Sequence, residues 1–406
     1  MDDFDLYLPA PGGAAGLLAD EIAALLACPR ERLAVQRSGV ALRAGWDAVL
    51  RLNLHSRIAQ RVLLQLWEGP YRHEDDVHAA AAAVAWEDWF GPQQTIKVEV
   101  TAQGSPLRSV QFAALRVKDA VCDRLRARCG ARPSVDTARP DVRLHLHLQA
   151  RQLALLLDTS GEPLFKRGWR EDKGDAPLKE TLAAAVLAAT GWDAEAEDPL
   201  PLVDPFCGSG TLVIEAAQRL LRMAPGRARR FAFEALRPHD AAHWAALREQ
   251  ARAAERPWPA GRGARVFGSD VAFRMVDFAR RNAARAGVLA VLELRGGDAL
   301  QRRPPVPGPG VLVLNPPYGE RIGAAGVAGA LGADEFWQRL AAHWKTCWGG
   351  WTAWILSPDA QLPRRLRLKA TRRVPLFNGP IECRLLRFAL EGRNDTADNG
   401  HDRERG

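Results

Sequence analysis

The sequence has no uninterrupted apolar run of about 18 residues or more, the length that a membrane-crossing helix requires. Its alanine-rich stretches, such as Ala79 to Ala83, are short and flanked by charge. None of the six cysteines (Cys28, Cys122, Cys129, Cys207, Cys347 and Cys383) forms a C-x-x-C pair. That spacing argues against a zinc knuckle or a dithiol centre and for reduced thiols in or near the interior. The opening residues, Met-Asp-Asp-Phe-Asp, lack the positive segment of a secretion signal, so a cytoplasmic location is expected. Two nucleotide-loop patterns are also missing. The glycines at 208 and 210 are not followed by the third of a G-x-G-x-x-G, nor by the Gly-Lys-Ser/Thr of a P-loop.

What is present is a chain of 406 residues, 47% hydrophobic, with material for two to three globular domains. The formal charge of +8 comes mostly from arginine. It fits a polyanionic partner, and it fits equally a compositional bias towards Ala and Arg. The segment to about Glu162 contains alternating stretches, Thr95 to Thr101 and Val142 to Leu148, which suggest half-exposed antiparallel strands. Between them, apolar residues at 112, 115, 117, 121, 122 and 125 have helical spacing. The pattern is that of an α+β module. His145 and His147 share a strand face, but no third metal ligand is evident. A polar stretch, Phe165 to Pro177, leads into a helix expected over 178–190 and reads as a join between domains. The tail from 393 to 406 is polar and is expected to be disordered.

From about Leu200 the pattern becomes βαβα, with apolar strands ending in Asp204, Asp270, Asp298 and Asn315. Polar residues repeated at strand ends describe an open parallel sheet with a ligand site along that edge. The loop Asp204-Pro205-Phe206-Cys207-Gly208-Ser209-Gly210-Thr211 can turn tightly and offers the N–H groups of a helix start to an anion. A carboxylate beside such a loop suits a ligand carrying both an ammonium and a carboxylate, namely the methionine part of S-adenosylmethionine. Asp270 can then accept ribose hydroxyls. Asp298, with Ala299 after it, can accept an adenine amine. The corner Asn315-Pro316-Pro317-Tyr318 ends an apolar strand abruptly, because prolines cannot continue a sheet. It offers a carboxamide, a carbonyl and an aromatic ring, which suit a planar group bearing an amine.

Together these motifs resemble class I S-adenosylmethionine-dependent methyltransferases acting on amino groups. The resemblance narrows to the bacterial THUMP-domain rRNA guanine-N2 methyltransferases of the large ribosomal subunit, the RlmL type. It extends to Arg108 to Ala120, to Arg167-Gly-Trp-Arg with Ala176-Pro-Leu-Lys-Glu-Thr-Leu, and to Asn378-Gly-Pro-Ile-Glu-Cys383. It implies a small ferredoxin-like subdomain over 1–42, a THUMP RNA-binding domain over 43–155 and a Rossmann-like methyltransferase domain over 156–392. Some members carry a second methyltransferase domain, which is not expected within these 406 residues. The implied reaction is methylation of the 2-amino group of a guanine in 23S rRNA or a large-subunit assembly intermediate, with no metal required. Asn315 and Pro316 would hold the amine, Pro317 would shape the corner and Tyr318 would stack on an unstacked base. Cys207 is not expected to act as a nucleophile, since amine methylation needs no covalent adduct. Arg108, Gln111, Arg116 and Lys118 are candidate RNA contacts, and Arg364 to Arg373 is a second basic stretch that also fits an exposed strand. A tRNA guanine-N2 methyltransferase, or a non-catalytic RNA-binding factor with the same fold, would share much of this pattern.

Overall fold

The computed structural model describes residues 3–174, 177–317 and 332–391. Tyr318, Ala176 and the polar tail therefore lie outside the described residues. Among those described, the strands form two seven-stranded sheets, and no helix is long and apolar enough to cross a membrane.

The first sheet takes β1 (Phe4–Pro9), β2 (Ala34–Gln36), β3 (Gly39–Ala44), β4 (Leu63–Pro70), β5 (Ile96–Ala102), β6 (Val142–Leu148) and β7 (Gln152–Asp158) in the order β2-β3-β1-β4-β7-β6-β5. Helices α1 (Ala15–Leu26), α2 (Trp46–His55), α3 (Glu74–Ala83) and α4 (Val110–Cys129) belong to the same part of the chain. In β6, Val142, Leu144, Leu146 and Leu148 are buried, while Arg143, His145 and His147 are only partly covered, as the alternation implies. The expected antiparallel relation fails in one place: β5 and β6 are parallel, and β6 is antiparallel to β7. Alternation reports a single buried face and not a direction. The helix between β5 and β6 supplies the long crossover that a parallel pair needs. That helix buries Ala113, Ala114, Val117, Val121 and Leu125, whereas Phe112 and Leu115, counted on the apolar face from spacing, are 49% and 52% exposed.

The second sheet follows α5 (Glu180–Thr190). It comprises β8 (Leu202–Asp204), β9 (Val266–Asp270), β10 (Leu292–Gly296), β11 (Val311–Leu314), β12 (Thr352–Ser357), β13 (Arg372–Asn378) and β14 (Ile381–Ala389), in the order β10-β9-β8-β11-β12-β14-β13. The five strands from β10 to β12 are parallel, and β14 and β13 close the edge antiparallel. Helices α6 (Thr211–Leu220), α7 (Ala241–Ala253), α8 (Phe273–Ala286), α9 (Ala333–Cys347) and α10 (Leu362–Leu366) connect them. β8 and β11 are buried along their whole length, as expected of strands covered on both faces. The chain runs outwards from β8 to β10, then returns to lay β11 on the other side of β8. The carboxyl ends of β8, β9 and β11 thus meet at the point where strand order reverses, the usual ligand position in such sheets. The basic stretch 364–373 is not a continuous strand: Leu362 and Leu366 are buried at helical spacing in α10, and β13 starts only at Arg372.

The two parts join at a buried ion cluster. Glu215, on α6, has a fully buried side chain. Arg167 donates to its Oε1 from 3.0 Å, and Arg57 Nη1 lies 3.6 Å from its Oε2. Arg167 also donates to the carbonyls of Leu164 and Arg57, while Arg57 donates to those of Gln218 and Met223. Removing one partner from a buried charge set leaves the others uncompensated. Glu215→Ala is therefore expected to cost about 3–5 kcal/mol of stability, measured as a lower denaturant midpoint.

Candidate functional site

The edge formed by β8, β9 and β11 is built from carboxyl groups and glycines. Asp204 ends β8 with its side chain buried, and its Oδ1 accepts from the Phe206 N–H at 2.9 Å. The chain then turns through Gly208 and Gly210, whose φ angles are +51° and +95°. A side chain at Gly210 would press on Ile214 and on Ala279 of α8 at 3.0 and 3.1 Å, so the bare backbone is what lets α6 start there. Asp270 ends β9 and holds this loop: its Oδ2 accepts from Gly208 N–H at 3.0 Å and its Oδ1 from Ala272 N–H at 2.9 Å. Asp298 follows β10, with its Oδ1 accepting from Leu300 N–H. Its Oδ2 is buried with no hydrogen-bond partner among the described residues.

A cavity of about 540 Å³ opens above this edge. Asp204, Phe206, Gly208, Thr211, Asp270, Asn315, Pro316 and Pro317 line it, so the expected cofactor loop and the expected catalytic corner face one space. Pro205, Gly210, Asp298 and Ala299 do not line it. Sequence reasoning did not assign Gly174, Pro177, Met275, Asn378 or Ile381 to the site, yet they complete the wall. Two of these belong to the Asn378-to-Cys383 segment, whose resemblance was noted without a role.

The join between domains reaches the site as well. Arg170 donates to Glu180 Oε1 at 2.7 Å, to Ser209 Oγ at 3.0 Å and to Thr211 Oγ1 at 2.7 Å. Asn282 of α8 donates to the carbonyls of Ser209 and Asp172. The polar stretch read as a linker is therefore a strap bound across the glycine loop.

Among the described residues no lysine or arginine lines the cavity. Burial pushes the Asp204 carboxyl up to about 8, and the neighbouring Asp270 adds to the rise. Burial raises Asp270 too, against the hydrogen bonds it accepts from Ala272 and Gly208. The Cys207 thiol is held far up by burial and by the same two carboxyls, so it is an unreactive neutral group, as expected. The edge can receive a ligand with a cationic group beside Asp204.

None of the candidate RNA contacts lines the cavity. Arg108 and Gln111 are exposed at the start of α4. Arg116 is paired with Asp75 at 2.7 Å and Lys118 with Asp119 at 2.5 Å. The exposed Phe112 and Leu115 lie on the same helix.

The Asp204 shift has a consequence for stability. Its folded value lies above the unfolded one, so between about pH 4 and pH 8 the unfolded chain ionises first and stability falls as pH rises. Asp204→Asn is expected to raise the melting temperature of the ligand-free protein at pH 8 and to leave it nearly unchanged at pH 4, as scanning calorimetry would register.

Comparison with known proteins follows this geometry. Residues 167–387 match the family model described as RMKL-like, methyltransferase domain. Residues 71–158 match the THUMP domain and residues 5–63 the RlmL ferredoxin-like domain. The chain is 36% identical over 362 residues to the ribosomal RNA large subunit methyltransferase K/L of Shewanella sp. (strain MR-4), covering 89% of this chain and 50% of that protein. It thus spans about half the length of the curated relatives it matches. Among solved structures it is similar to SMU.472 in complex with SAH, with a TM-score of 0.83 and 27% identity over 96% of this chain and 98% of that one. A predicted N6-adenine-specific DNA methylase from Listeria monocytogenes str. 4b F2365 gives a TM-score of 0.82 and 27% identity, over 95% and 96% of the two chains.

Proposed function

The chain belongs to the family of RMKL-like methyltransferase domains, and from that premise we propose that it methylates the 2-amino group of a guanine in 23S rRNA, using S-adenosylmethionine. The observation that carries this reading is that Asn315, Pro316 and Pro317 face the carboxyl-lined glycine loop across a single cavity. The large-subunit rRNA named for the Shewanella relative supports the substrate class, and the SAH held by SMU.472 supports the cofactor. A cytoplasmic location goes with such a substrate.

The residues present fit that cofactor. Asp204 is a buried carboxyl at the cavity wall beside a second carboxyl, Asp270, which suits the methionine ammonium. Asp298, whose Oδ2 has no hydrogen-bond partner among the described residues, is assigned the adenine amine by its place after β10. Asp270 spends one lone pair of each oxygen on backbone N–H groups and keeps the others for ribose hydroxyls. When bound, the cofactor supplies an electrophilic methyl on a sulfonium.

The rest of the chemistry falls to the chain. The lone pair of a guanine 2-amino group is delocalised into the ring, which makes it a poor nucleophile. Asn315 Oδ1 and the Pro316 carbonyl accept its two N–H bonds, orienting the nitrogen and favouring a pyramidal geometry. The rigid corner holds these acceptors without reorganisation, and positioning of this kind is worth several kcal/mol, roughly. No strong base is needed, because the amine proton becomes acidic as the methyl arrives. Tyr318 is assigned the stacking role by its place in the motif. Arg108, Gln111, Arg116 and Lys118 are assigned phosphate contacts, which position RNA without reading sequence.

The test is incubation of deproteinised 23S rRNA, from a strain lacking the enzyme, with labelled S-adenosylmethionine, followed by mass spectrometry of the nucleosides. N2-methylguanosine is expected. Label found only when tRNA is supplied would favour the tRNA reading, and failure to bind millimolar S-adenosylmethionine in calorimetry would favour a non-catalytic factor. Asn315→Ala is expected to lower methyl transfer by about 100-fold or more with cofactor affinity intact; near-wild-type turnover would remove its assigned role. Arg108→Glu is expected to weaken RNA binding and flatten its salt dependence by about one phosphate contact, and an unchanged slope would take Arg108 out of the interface.

A further inference from the structure

The far wall of the cavity is the tip of the β13–β14 hairpin. Asn378 and Ile381 are its last facing pair, and both line the space that Asn315 lines. Facing residues of an antiparallel pair project from the same side of the sheet, with Cβ atoms about 4.5–5.5 Å apart. The carboxamide and the aliphatic side chain are therefore presented side by side.

Two features fix this tip. The connection is Gly379-Pro380, with Gly379 at φ +62° and the proline ring locking the next φ. Immediately before it, the Phe377 N–H donates to the Gly12 carbonyl at 3.0 Å, bracing β13 on the N-terminal region. Gly13, at φ +81°, lies so close that a side chain there would stand 2.2 Å from the Pro375 oxygen. On this braced strand the Asn378 carboxamide makes no hydrogen bond among the described residues. Ile381 is 44% exposed. A carboxamide held on a braced strand beside a half-exposed aliphatic side chain suits a flat, polar-edged ligand.

We propose that Asn378 selects the acceptor base by reading the edge next to the methylated amine, while Ile381 covers the base face. The inference rests on the guanine reading given above. Next to its 2-amino group guanine carries the N1–H donor and then the O6 acceptor. A carboxamide offers one acceptor oxygen and two N–H donors, so Oδ1 takes the N1–H and Nδ2 donates to O6. Adenine presented by its 6-amino group offers an N1 acceptor and then a C–H, so one of the two bonds is lost. Asn378 is thus a specificity-determining residue, separate from Asn315, which holds the reacting nitrogen.

The assay is methylation of deproteinised 23S rRNA by the full chain carrying Asn378→Ala, Asn378→Gln or Ile381→Ala, with S-adenosylhomocysteine calorimetry on each variant. For Asn378→Ala, kcat/KM for RNA is expected to fall roughly 10- to 100-fold, with wild-type S-adenosylhomocysteine affinity. Asn378→Gln, which keeps the carboxamide, should recover part of that loss. Asn378→Ala working within about twofold of wild type would overturn the proposal. So would a parallel loss of S-adenosylhomocysteine affinity, since the tip would then act on the cofactor side. If the wild-type enzyme makes N6-methyladenosine, the guanine reading falls and this one with it. If it makes N2-methylguanosine and Asn378→Ala does so equally well, only the role of Asn378 falls.

Discussion

Glu215 holds the two halves of the molecule in one arrangement. Its carboxylate is fully buried between Arg167, from the strap, and Arg57, from the N-terminal region. A lone buried carboxylate is untenable in a medium of low dielectric. Each arginine also donates to carbonyls of the neighbouring segments. Because Glu215 belongs to the helix that opens with the glycine loop, the orientation of the N-terminal sheet and the position of that loop are set by the same contact. Arg170, three residues along the strap, continues the connection onto Ser209 and Thr211.

The site itself runs on the opposite electrostatic principle. Where the junction sets a buried carboxylate against arginines, the cavity leaves Asp204 and Asp270 without a positive partner among the described residues. Stability is given up there in exchange for affinity towards a ligand that brings the missing cation and donors.

Much of this was legible in the residues. The acidic strand ends, the paired glycines and the double proline are local features whose chemistry follows from their types, and the sheet brings Asp204, Asp270 and Asn315 to one edge as that chemistry requires. What could not be read were relations between distant segments. Alternation in 95–101 and 142–148 reported a buried face but not that the two strands run parallel. Spacing placed Phe112 and Leu115 in one helical apolar series with Val117, Val121 and Leu125, yet the helix leaves those two exposed. Arg170 and Asn282 look like ordinary surface residues until the strap is seen lying across the loop. Asn378 and Ile381 sit far along the chain from the motifs they face.

The contact between Gly12, Gly13 and β13 bears on how such enzymes can be re-engineered. Gly13 packs on the backbone of Pro375 and Leu376, Gly12 packs on the Phe377 side chain, and neither glycine has space for a side chain of its own. On the glycine side such an interface cannot be retuned by substitution, because any added side chain would clash. A chimaera that exchanged the first sheet for that of a relative would therefore need to carry the β13–β14 hairpin with it. The smallest transplantable unit for redirecting such an enzyme is discontinuous in sequence, the N-terminal region plus a hairpin more than 200 residues further on.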